Sequence, residues 1–262
     1  MKVAYIQTSP IFGEKEQNFN QIDDLSTDLK ADLIVLPELF ATGYTFKSRD
    51  EANKLAESSN GKTYQFLKSL SFKTSAIIVG GFIELLKGKI YNSSLLVFKD
   101  LIKATYQKIH LFNQEKLWFS PGKEKYRVYD INNTKIGIMI CFDWIFPEAT
   151  RSLALQGAEI IAHPSNLVLP YCQNAMKIRC LENRVFAVTT NRIGKESRGD
   201  NRFLFTGGSQ ITSYNGEVLA KAPKDEIHVE VVSIDVSNAQ NKKLNDYNDL
   251  FKDRNPQLYT YE

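Results

Sequence analysis

The sequence predicts an α/β protein in which two β-sheets are covered by helices. Short runs of apolar, often β-branched residues alternate with amphipathic stretches whose apolar residues recur every three or four positions. Segments 32–39 and 159–166 resemble each other, because each combines an acidic residue, an apolar strand and a terminal proline after a strand–helix unit. This repetition predicts two related halves, each contributing one sheet with helices on its outer side.

Hydrophobic spacing and turn residues predict the elements of the first half. In chain order these are a strand at 2–8, a helix at 14–30, a strand at 32–36, a helix at 62–75 and strands at 76–84, 90–98 and 102–107. The first helix is amphipathic, because Phe19, Ile22 and Leu25 follow one another at three-residue steps. After Asp32, the strand predicted at 32–36 is continuously apolar, which is typical of a strand covered on both faces.

The second half repeats this alternation around a turn at Asn132-Asn133. Its predicted elements are strands at 126–131 and 135–140, a helix at 147–156, a strand at 158–164, a helix at 173–183 and strands at 185–190, 207–213, 217–220 and 227–234. Asn215-Gly216 is a strong hairpin signal. The charged segment 195–202 has no apolar period and is predicted to be a surface loop. This segment and a second loop at 42–52 are expected to shape the pocket.

Composition indicates a globular protein and excludes several partners. Of the 262 residues, 43% are apolar and 24% are charged, and a single domain over 1–262 is expected from this length. The net charge of +3 is small and dispersed, so neither nucleic acid nor a membrane is an expected partner. The first residues enter a strand and do not resemble a signal peptide. Three cysteines without zinc or redox spacing indicate free thiols in a cytoplasmic setting, and neither a metal nor a cofactor is expected.

Residues 134–148 form the most informative motif, which combines a strand, one cysteine and a helix start. The run 135–140 is apolar with β-branched residues, and Cys141 follows it directly. Pro147 and Glu148 suit the first turn of a helix. A strand, a sharp turn and a helix can hold a nucleophile at the edge of a sheet. A lone cysteine after a buried strand is also typical of a small core residue, so other motifs must decide.

Two further stretches place a carboxylate and an amine at strand ends. Glu38 follows the apolar run that ends at Leu36-Pro37, and Lys108 follows the strand 102–107. A free thiol is mostly protonated at neutral pH, since its pKa is about 8.5. A nearby ammonium lowers that pKa, and a nearby general base can take the proton. Lys108 and Glu38 offer these two functions to Cys141.

In order and spacing, these three motifs resemble the nitrilase superfamily of carbon–nitrogen hydrolases, with its Glu-Lys-Cys triad. The resemblance spans nearly the whole chain and implies a four-layer αββα sandwich of two mainly mixed sheets flanked by helices. It implies that Glu38, Lys108 and Cys141 are catalytic. Glu115, seven residues after Lys108, matches the superfamily's additional glutamate, which helps to place the substrate and the lysine.

The resemblance also implies pocket residues and an assembly. Tyr44 and Asn166 match substrate-binding positions, although a packed tyrosine and a strand-end turn residue are the alternatives. A homodimer or higher homo-oligomer is implied, built on the helices after Cys141 and at 173–183. The polar tail 238–262 is then expected at the dimer interface.

The implied reaction hydrolyses a non-peptide carbon–nitrogen bond. Glu38 would deprotonate Cys141, whose sulfur attacks a carbonyl or nitrile carbon, while Lys108 and the backbone N–H of Phe142 hold the developing negative charge. Ammonia or an amine leaves, and water hydrolyses the resulting thioester. The motif looks closest to small standalone amidases, carbamoyl-amine hydrolases and aliphatic nitrilases. An amide substrate is favoured over a nitrile, because most members with this pattern cleave amides.

Other functions stay open at this point. A dyad of Cys141 with His110 or His163 competes with the triad, although both histidines have the pattern of structural residues. A catalytically silent scaffold for protein binding would have lost a triad residue, and all three are present. Acyl transfer to an amine, in place of water, would use the same thioester.

Overall fold

The computed structural model describes residues 1–100 and 102–259. Residues 101 and 260–262 of the expected domain over 1–262 lie outside the described residues. The last three of these belong to the tail 238–262. In chain order the strands are β1 (Lys2–Gln7), β2 (Leu33–Val35), β3 (Ile77–Leu86), β4 (Lys89–Phe98), β5 (Ile102–Gln107), β6 (Val128–Ile131), β7 (Thr134–Ile138), β8 (Ile160–Pro164), β9 (Phe186–Thr190), β10 (Lys195–Arg198), β11 (Asn201–Leu204), β12 (Gln210–Thr212), β13 (Val218–Lys221) and β14 (His228–Ser233). The α-helices are α1 (Lys15–Leu25), α2 (Arg49–Leu55), α3 (Lys62–Thr74), α4 (Glu115–Trp118), α5 (Pro147–Leu155) and α6 (Cys172–Asn183). Short 3-10 helices cover Cys141–Ile145, Val236–Ala239 and Pro256–Leu258.

The described strands build two six-stranded sheets of the same design. Their orders are β14-β1-β2-β3-β4-β5 and β13-β12-β9-β8-β7-β6, and β10 and β11 form a separate hairpin. Strands β1, β2 and β3 of the first sheet are parallel to one another, and so are β7, β8 and β9 of the second. The strands that flank each of these sets pair with them antiparallel. Strand β2 therefore occupies the place in the first sheet that β8 occupies in the second. The repeat predicted from 32–39 and 159–166 is confirmed.

Alternating side chains join the sheets to each other and to the helices. Val3 and Tyr5 of β1 belong to the core shared with the second sheet, whereas Ala4 and Ile6 face the other way and share a core with Phe19 of α1. Successive residues of a strand point to opposite faces, so one apolar strand serves both cores. Helices α5 and α6 cover the outer face of the second sheet in the same manner. The predicted four-layer sandwich, with two mixed sheets flanked by helices, is confirmed.

Most differences from the predicted elements lie at their ends. The first helix ends at Leu25, before the predicted residue 30, and Asp28 beyond it has a φ of +60° that no helix accommodates. The strand predicted at 207–213 is reduced to Gln210–Thr212, because Gly207 and Gly208 adopt φ angles of +53° and +61°. The hairpin turn at Asn132-Asn133 is confirmed, with φ angles of +51° and +62°.

The segment 195–202 lies at the surface as predicted, but it forms a hairpin rather than a loop, so that part of the prediction is wrong. Its residues belong to the hairpin of β10 and β11, and the side chain of Glu196 is buried. Buried Glu196 is paired with Arg192, which is also buried. Charged residues anchor this hairpin to the molecule, so a search for apolar periodicity misses it.

The segment 42–52 contributes to a pocket as expected, because Tyr44, Thr45 and Phe46 line the small cavity beside Glu115. Its residues 42–46 are buried, and α2 begins at Arg49. The Ser48 hydroxyl accepts the Glu51 N–H as an N-cap.

Within 1–100 and 102–259, no helix combines the length and the apolar character that crossing a membrane requires.

Candidate active site

Three strand ends supply the charged and nucleophilic groups that the sequence singles out. Glu38 lies just after β2, Lys108 directly follows β5, and Cys141 follows β7. Strands β2 and β5 belong to the first sheet and β7 to the second, so the site lies where the two sheets face each other. Glu38 and Lys108 are fully buried and Cys141 is 5% exposed.

Lys108 is the centre of a buried hydrogen-bonded cluster. Its Nζ donates to Glu38 Oε1 at 2.7 Å and to Glu115 Oε1 at 2.8 Å. The side-chain amide of Asn92 donates to the same Glu38 oxygen at 2.7 Å, and the Tyr44 hydroxyl donates to Glu115 Oε1 at 2.7 Å. Glu38 Oε2 is buried and has no hydrogen-bond partner among the described residues. The cluster therefore fixes Glu38 through one oxygen and leaves the other free to accept a proton.

The protonation of this cluster follows from its burial and its charges. Burial is the largest influence on the pKa of Lys108 and lowers it, but the carboxylates of Glu115 and Glu38 together outweigh burial and raise the pKa above its ordinary value. Burial raises the pKa of Glu115, against the opposing effect of Lys108. Lys108 is therefore an ammonium with three N–H donors. Its two carboxylate partners use two of them, which leaves one for a substrate.

Cys141 is held in a strained turn beside this cluster. Its φ of +43° is in the left-handed region, which residues other than glycine rarely adopt. Burial, followed by the charge of Glu38, raises the pKa of the Cys141 thiol well above its ordinary value, and Lys108 opposes this rise. The thiol is therefore protonated at neutral pH, so a nucleophilic attack by this sulfur would require a base.

Asp143 ties the cysteine turn to the segment that follows Lys108. One carboxylate oxygen accepts the Ile140 N–H at 2.9 Å and the Tyr106 hydroxyl at 2.7 Å. The other oxygen lies 2.7 Å from His110 Nδ1. His110 in turn stacks on the ring of Phe146 at 3.7 Å between centroids. Nδ1 and the ring face of His110 thus have structural partners, and among the described residues no hydrogen bond joins this ring to Cys141, which argues against a Cys-His dyad.

The second candidate histidine, His163, contacts the cysteine through the backbone. Its Nε2 lies 2.9 Å from the carbonyl oxygen of Cys141, and its Nδ1 lies 3.1 Å from Thr189 Oγ1. Burial lowers the pKa of His163 to about 4, so the imidazole is neutral at physiological pH. These two contacts occupy both ring nitrogens.

A narrow cleft leads to the sulfur of Cys141. Its lining is mainly apolar and consists of Phe112, Cys141, Phe142, Trp144, Asn166, Leu167, Val168 and Leu169. Asn166 is 2% exposed, and neither its side-chain oxygen nor its nitrogen has a hydrogen-bond partner among the described residues. A second small cavity adjoins Tyr44 and Glu115 on the other side of the cluster.

The sequence-predicted site residues fall into two connected groups. Tyr44, Glu38, Lys108 and Glu115 are joined by direct hydrogen bonds. Phe142 and Asn166 line one cleft with Cys141. In the described part of the chain, no group of three or more His, Cys, Asp and Glu side chains is arranged to hold a metal.

Sequence reasoning missed Asn92, Asp143 and the backbone contact of His163. For Asn92 the available sequence signal was an amide in a predicted strand that continues into Leu95, Leu96 and Val97. The structure shows that this amide is fully buried. Asp143 lies two residues after the cysteine and is also fully buried. Nothing in the sequence indicates that His163 contacts the Cys141 carbonyl, because 22 residues separate them.

This combination of fold and clustered groups defines an enzyme that hydrolyses carbon–nitrogen bonds. The chain belongs to the carbon–nitrogen hydrolase family, whose match covers residues 2–243. The resemblance to the nitrilase superfamily is thereby confirmed.

Individual relatives carry different activities. The chain is 44% identical over 263 residues to a nitrilase of Pyrococcus abyssi, with 99% of each chain covered. It is 34% identical over 262 residues to an (R)-stereoselective amidase of a Pseudomonas species, covering 97% of this chain and 91% of the relative. The crystal structure of a carbon–nitrogen hydrolase from Helicobacter pylori matches with a TM-score of 0.82 and 24% identity, covering 92% of this chain and 91% of that one. The last likeness bears on the fold alone.

Proposed function

We propose that the protein hydrolyses a small, uncharged amide to a carboxylic acid and ammonia through a thioester on Cys141. The observation that carries this proposal is the unpaired Oε2 of Glu38, buried in a cluster that also fixes an ammonium with a spare donor. A base without competing partners can take a proton from a thiol that is protonated at rest.

In the first half of the reaction, the thiol proton moves to Glu38 and the sulfur of Cys141 bonds to the carbonyl carbon. The carbonyl oxygen becomes an oxyanion, which Lys108 Nζ and the Phe142 N–H stabilise. The carbon–nitrogen bond then breaks, and the nitrogen takes the proton from Glu38 and leaves as ammonia. A thioester remains on the sulfur.

In the second half, water gives a proton to Glu38 and its oxygen attacks the thioester carbon. The same two donors stabilise the second oxyanion. When the carbon–sulfur bond breaks, Glu38 returns the proton to the sulfur and the acid is free. Glu115 binds Lys108 and Tyr44 binds Glu115, so these two are positioning residues in this scheme.

The lining of the cleft supports an uncharged substrate over a cationic carbamoyl amine. None of the side chains that line the cleft at Cys141 carries a fixed charge. The small cavity beside Tyr44 has Glu115 as its charged lining residue. The carboxylate of Glu115 already accepts hydrogen bonds from Lys108 and Tyr44. A buried cationic group on the substrate would therefore lack a counter-charge, which is costly.

A nitrile is the second candidate substrate. It is favoured by the 44% identity to a relative named nitrilase over 99% of this chain. A nitrile carbon needs the same nucleophile, base and charge stabilisation, so the site geometry is compatible with both reactions.

The test is ammonia release from a panel of aliphatic amides, aliphatic nitriles and carbamoyl amines of matched size, with Cys141→Ala as the control. We expect the wild type to release ammonia from amides and the variant to release none. Equal release by the two proteins would overturn the proposed function. Release from nitriles alone would replace the amide with a nitrile, and a preference for carbamoyl amines would contradict the uncharged pocket.

A further inference from the structure

The buried imidazole of His163 holds the backbone of the nucleophile. Its Nε2 lies 2.9 Å from the carbonyl oxygen of Cys141 and its Nδ1 lies 3.1 Å from the Thr189 hydroxyl. A carbonyl oxygen can only accept a hydrogen bond, so Nε2 carries the ring proton. Nδ1 is then the acceptor, and the Thr189 hydroxyl donates to it. The Cys141 carbonyl, which can only accept, selects this tautomer, and the Thr189 hydroxyl donates to Nδ1 and so helps to hold the ring in place.

The carbonyl of Cys141 and the N–H of Phe142 belong to one peptide group. A trans peptide is planar, and its C=O and N–H point in opposite directions. Fixing the oxygen of Cys141 therefore fixes the direction of the Phe142 N–H. Phe142 is the second residue of the 3-10 helix Cys141–Ile145, so its N–H has no acceptor within that helix.

This peptide needs an external constraint. Cys141 has a φ of +43°, a conformation that residues other than glycine adopt only when their surroundings impose it. Asp143 holds the preceding N–H of Ile140, and the bond from His163 holds the following carbonyl. The strained residue is thus fixed on both sides.

We propose that His163 is a positioning residue for the oxyanion site: by binding the Cys141 carbonyl, it aims the Phe142 N–H at the substrate oxygen. This inference rests on the proposed function, in which that N–H stabilises the oxyanion. His163 itself touches no reacting atom, and it neither takes nor gives a proton during turnover.

The surroundings of His163 keep this donor constant over the working pH range. Burial outweighs the neighbouring charges and keeps the pKa of His163 at about 4, with Asp143 acting to raise it and Lys108 to lower it. The neighbouring Ser165 hydroxyl lies 3.2 Å from Nε2 and donates to the His163 carbonyl. The imidazole is therefore neutral, with its proton on Nε2, throughout the neutral range.

The experiment compares His163→Leu, which removes the donor, with His163→Gln, whose amide can donate from nearly the same place. Thr190→Val is the matched control, because Thr190 lies on the same strand as Thr189 and its buried hydroxyl has no partner among the described residues. Loss of one oxyanion donor costs about 10²- to 10³-fold in turnover. We expect His163→Leu to lower kcat by about 10²-fold with KM changed less than about threefold, and His163→Gln to recover at least about tenfold of that loss.

A second measurement separates the oxyanion site from the nucleophile. An aldehyde with the substrate's acyl group forms a tetrahedral adduct with Cys141 whose oxygen occupies the oxyanion position, whereas alkylation by iodoacetamide forms no oxyanion. We expect His163→Leu to weaken aldehyde inhibition by about the factor lost in kcat and to change the alkylation rate less than about threefold. Thr189→Val keeps the imidazole but removes the hydroxyl that binds its Nδ1, so the ring is held less firmly. This variant should give an intermediate loss, and it serves if His163→Leu does not fold.

Each outcome bears on one of the two proposals. Full kcat in His163→Leu, in a wild type that releases ammonia, would overturn the role of His163 alone. Parallel losses in aldehyde binding and alkylation would also overturn it, because they would indicate general damage to the Cys141 turn. Absence of ammonia release from the wild type on every amide and nitrile would overturn the proposed function itself.

Discussion

At the scale of single residues, the site combines a protonated nucleophile with a permanently charged ammonium. Burial and Glu38 raise the pKa of Cys141, whereas Glu115 and Glu38 raise that of Lys108. A thiol that rests as a thiolate needs a lowered pKa, so the effect of a nearby positive charge would have to outweigh burial and the nearby carboxylate. In the proposed mechanism, the cysteine is therefore activated by transfer of its proton to Glu38 during attack rather than by a low thiol pKa.

This protonation state predicts how Cys141 reacts with iodoacetamide in the absence of substrate. Because the thiolate is the reactive form, the alkylation rate should rise about tenfold per pH unit from pH 6 to 9 without a plateau. The rate is measured by mass spectrometry, with Cys141→Ala as the control that reports on the buried Cys172 and Cys180. A plateau near neutral pH would indicate a stable thiolate and contradict the prediction.

The buried imidazole of His163 also predicts a dependence of stability on pH. Its pKa is about 4 in the folded protein and 6.5 for an ordinary histidine. Between these values the unfolded chain binds a proton that the folded protein does not, so stability is present above pH 6.5 and falls as the pH drops towards 4.

For His163 the loss is about 2 kcal/mol at pH 5 relative to pH 7. In His163→Gln, which cannot titrate, the fall in the free energy of unfolding from pH 7 to 5 should be smaller by this amount. Urea denaturation at both pH values measures it, with Thr190→Val as the control. An identical pH dependence in His163→Gln and the wild type would show that folding does not lower the pKa of His163.

At the scale of elements, the β10–β11 hairpin holds the segment that carries Tyr44. Glu196 of β10 accepts the N–H groups of Tyr44 at 3.1 Å and Thr45 at 2.8 Å. Its other oxygen binds the guanidinium of Arg192, which packs on the ring of Phe205 at 4.1 Å. A charge pair from the second half of the chain thus positions a tyrosine in the first half that binds Glu115.

Replacing one partner of this pair should destabilise the protein strongly. Glu196→Gln leaves the buried charge of Arg192 without its counter-charge, which costs about 3–5 kcal/mol in the free energy of unfolding. Glu217→Gln, at an exposed glutamate, is the matched control and should change it by less than about 0.5 kcal/mol. Chemical denaturation measures both variants. A change in Glu196→Gln as small as in the control would mean that the pair has little effect on stability.

At the scale of the whole molecule, two sheets of the same design meet at the site, and the second sheet's helices present apolar side chains to solvent. Ile178 and Leu181 of α6 are 52% and 46% exposed, and Leu155 of α5 is 43% exposed. The tail also lies against α6 of its own chain, since Lys242 Nζ donates to the carbonyls of Asn183 and Arg184. Contiguous apolar residues on a surface mark a site of association.

We therefore predict that the protein is a homodimer that uses α5 and α6. Light scattering should give a mass about twice the 29.9 kDa of one chain. Ile178→Lys places a charge on the apolar face and should shift the mass towards one chain, whereas Lys177→Arg should leave it unchanged. A mass of one chain for the wild type at micromolar concentration would contradict the prediction.

The sequence alone determined the layers of the fold and the chemical groups of the site. Apolar strands such as 32–36 and 135–140 are long enough and uniform enough for their periodicity to specify buried strands. Glu38 and Cys141 follow these runs, and the resemblance to the nitrilase superfamily, rather than the hydrophobic pattern, distinguishes them as candidate site residues. The repeat between 32–39 and 159–166 likewise predicted two equivalent halves, because each half must bury the same kind of strand.

Only the tertiary structure decided how distant residues support these groups. In the sequence Glu196 belongs to a charged segment, and only the structure pairs it with Arg192; likewise, only the structure shows that His163 binds a carbonyl 22 residues away. Local pattern reflects which face of an element is apolar. It carries no information on which distant donor meets a given acceptor, since that depends on how the two sheets are stacked.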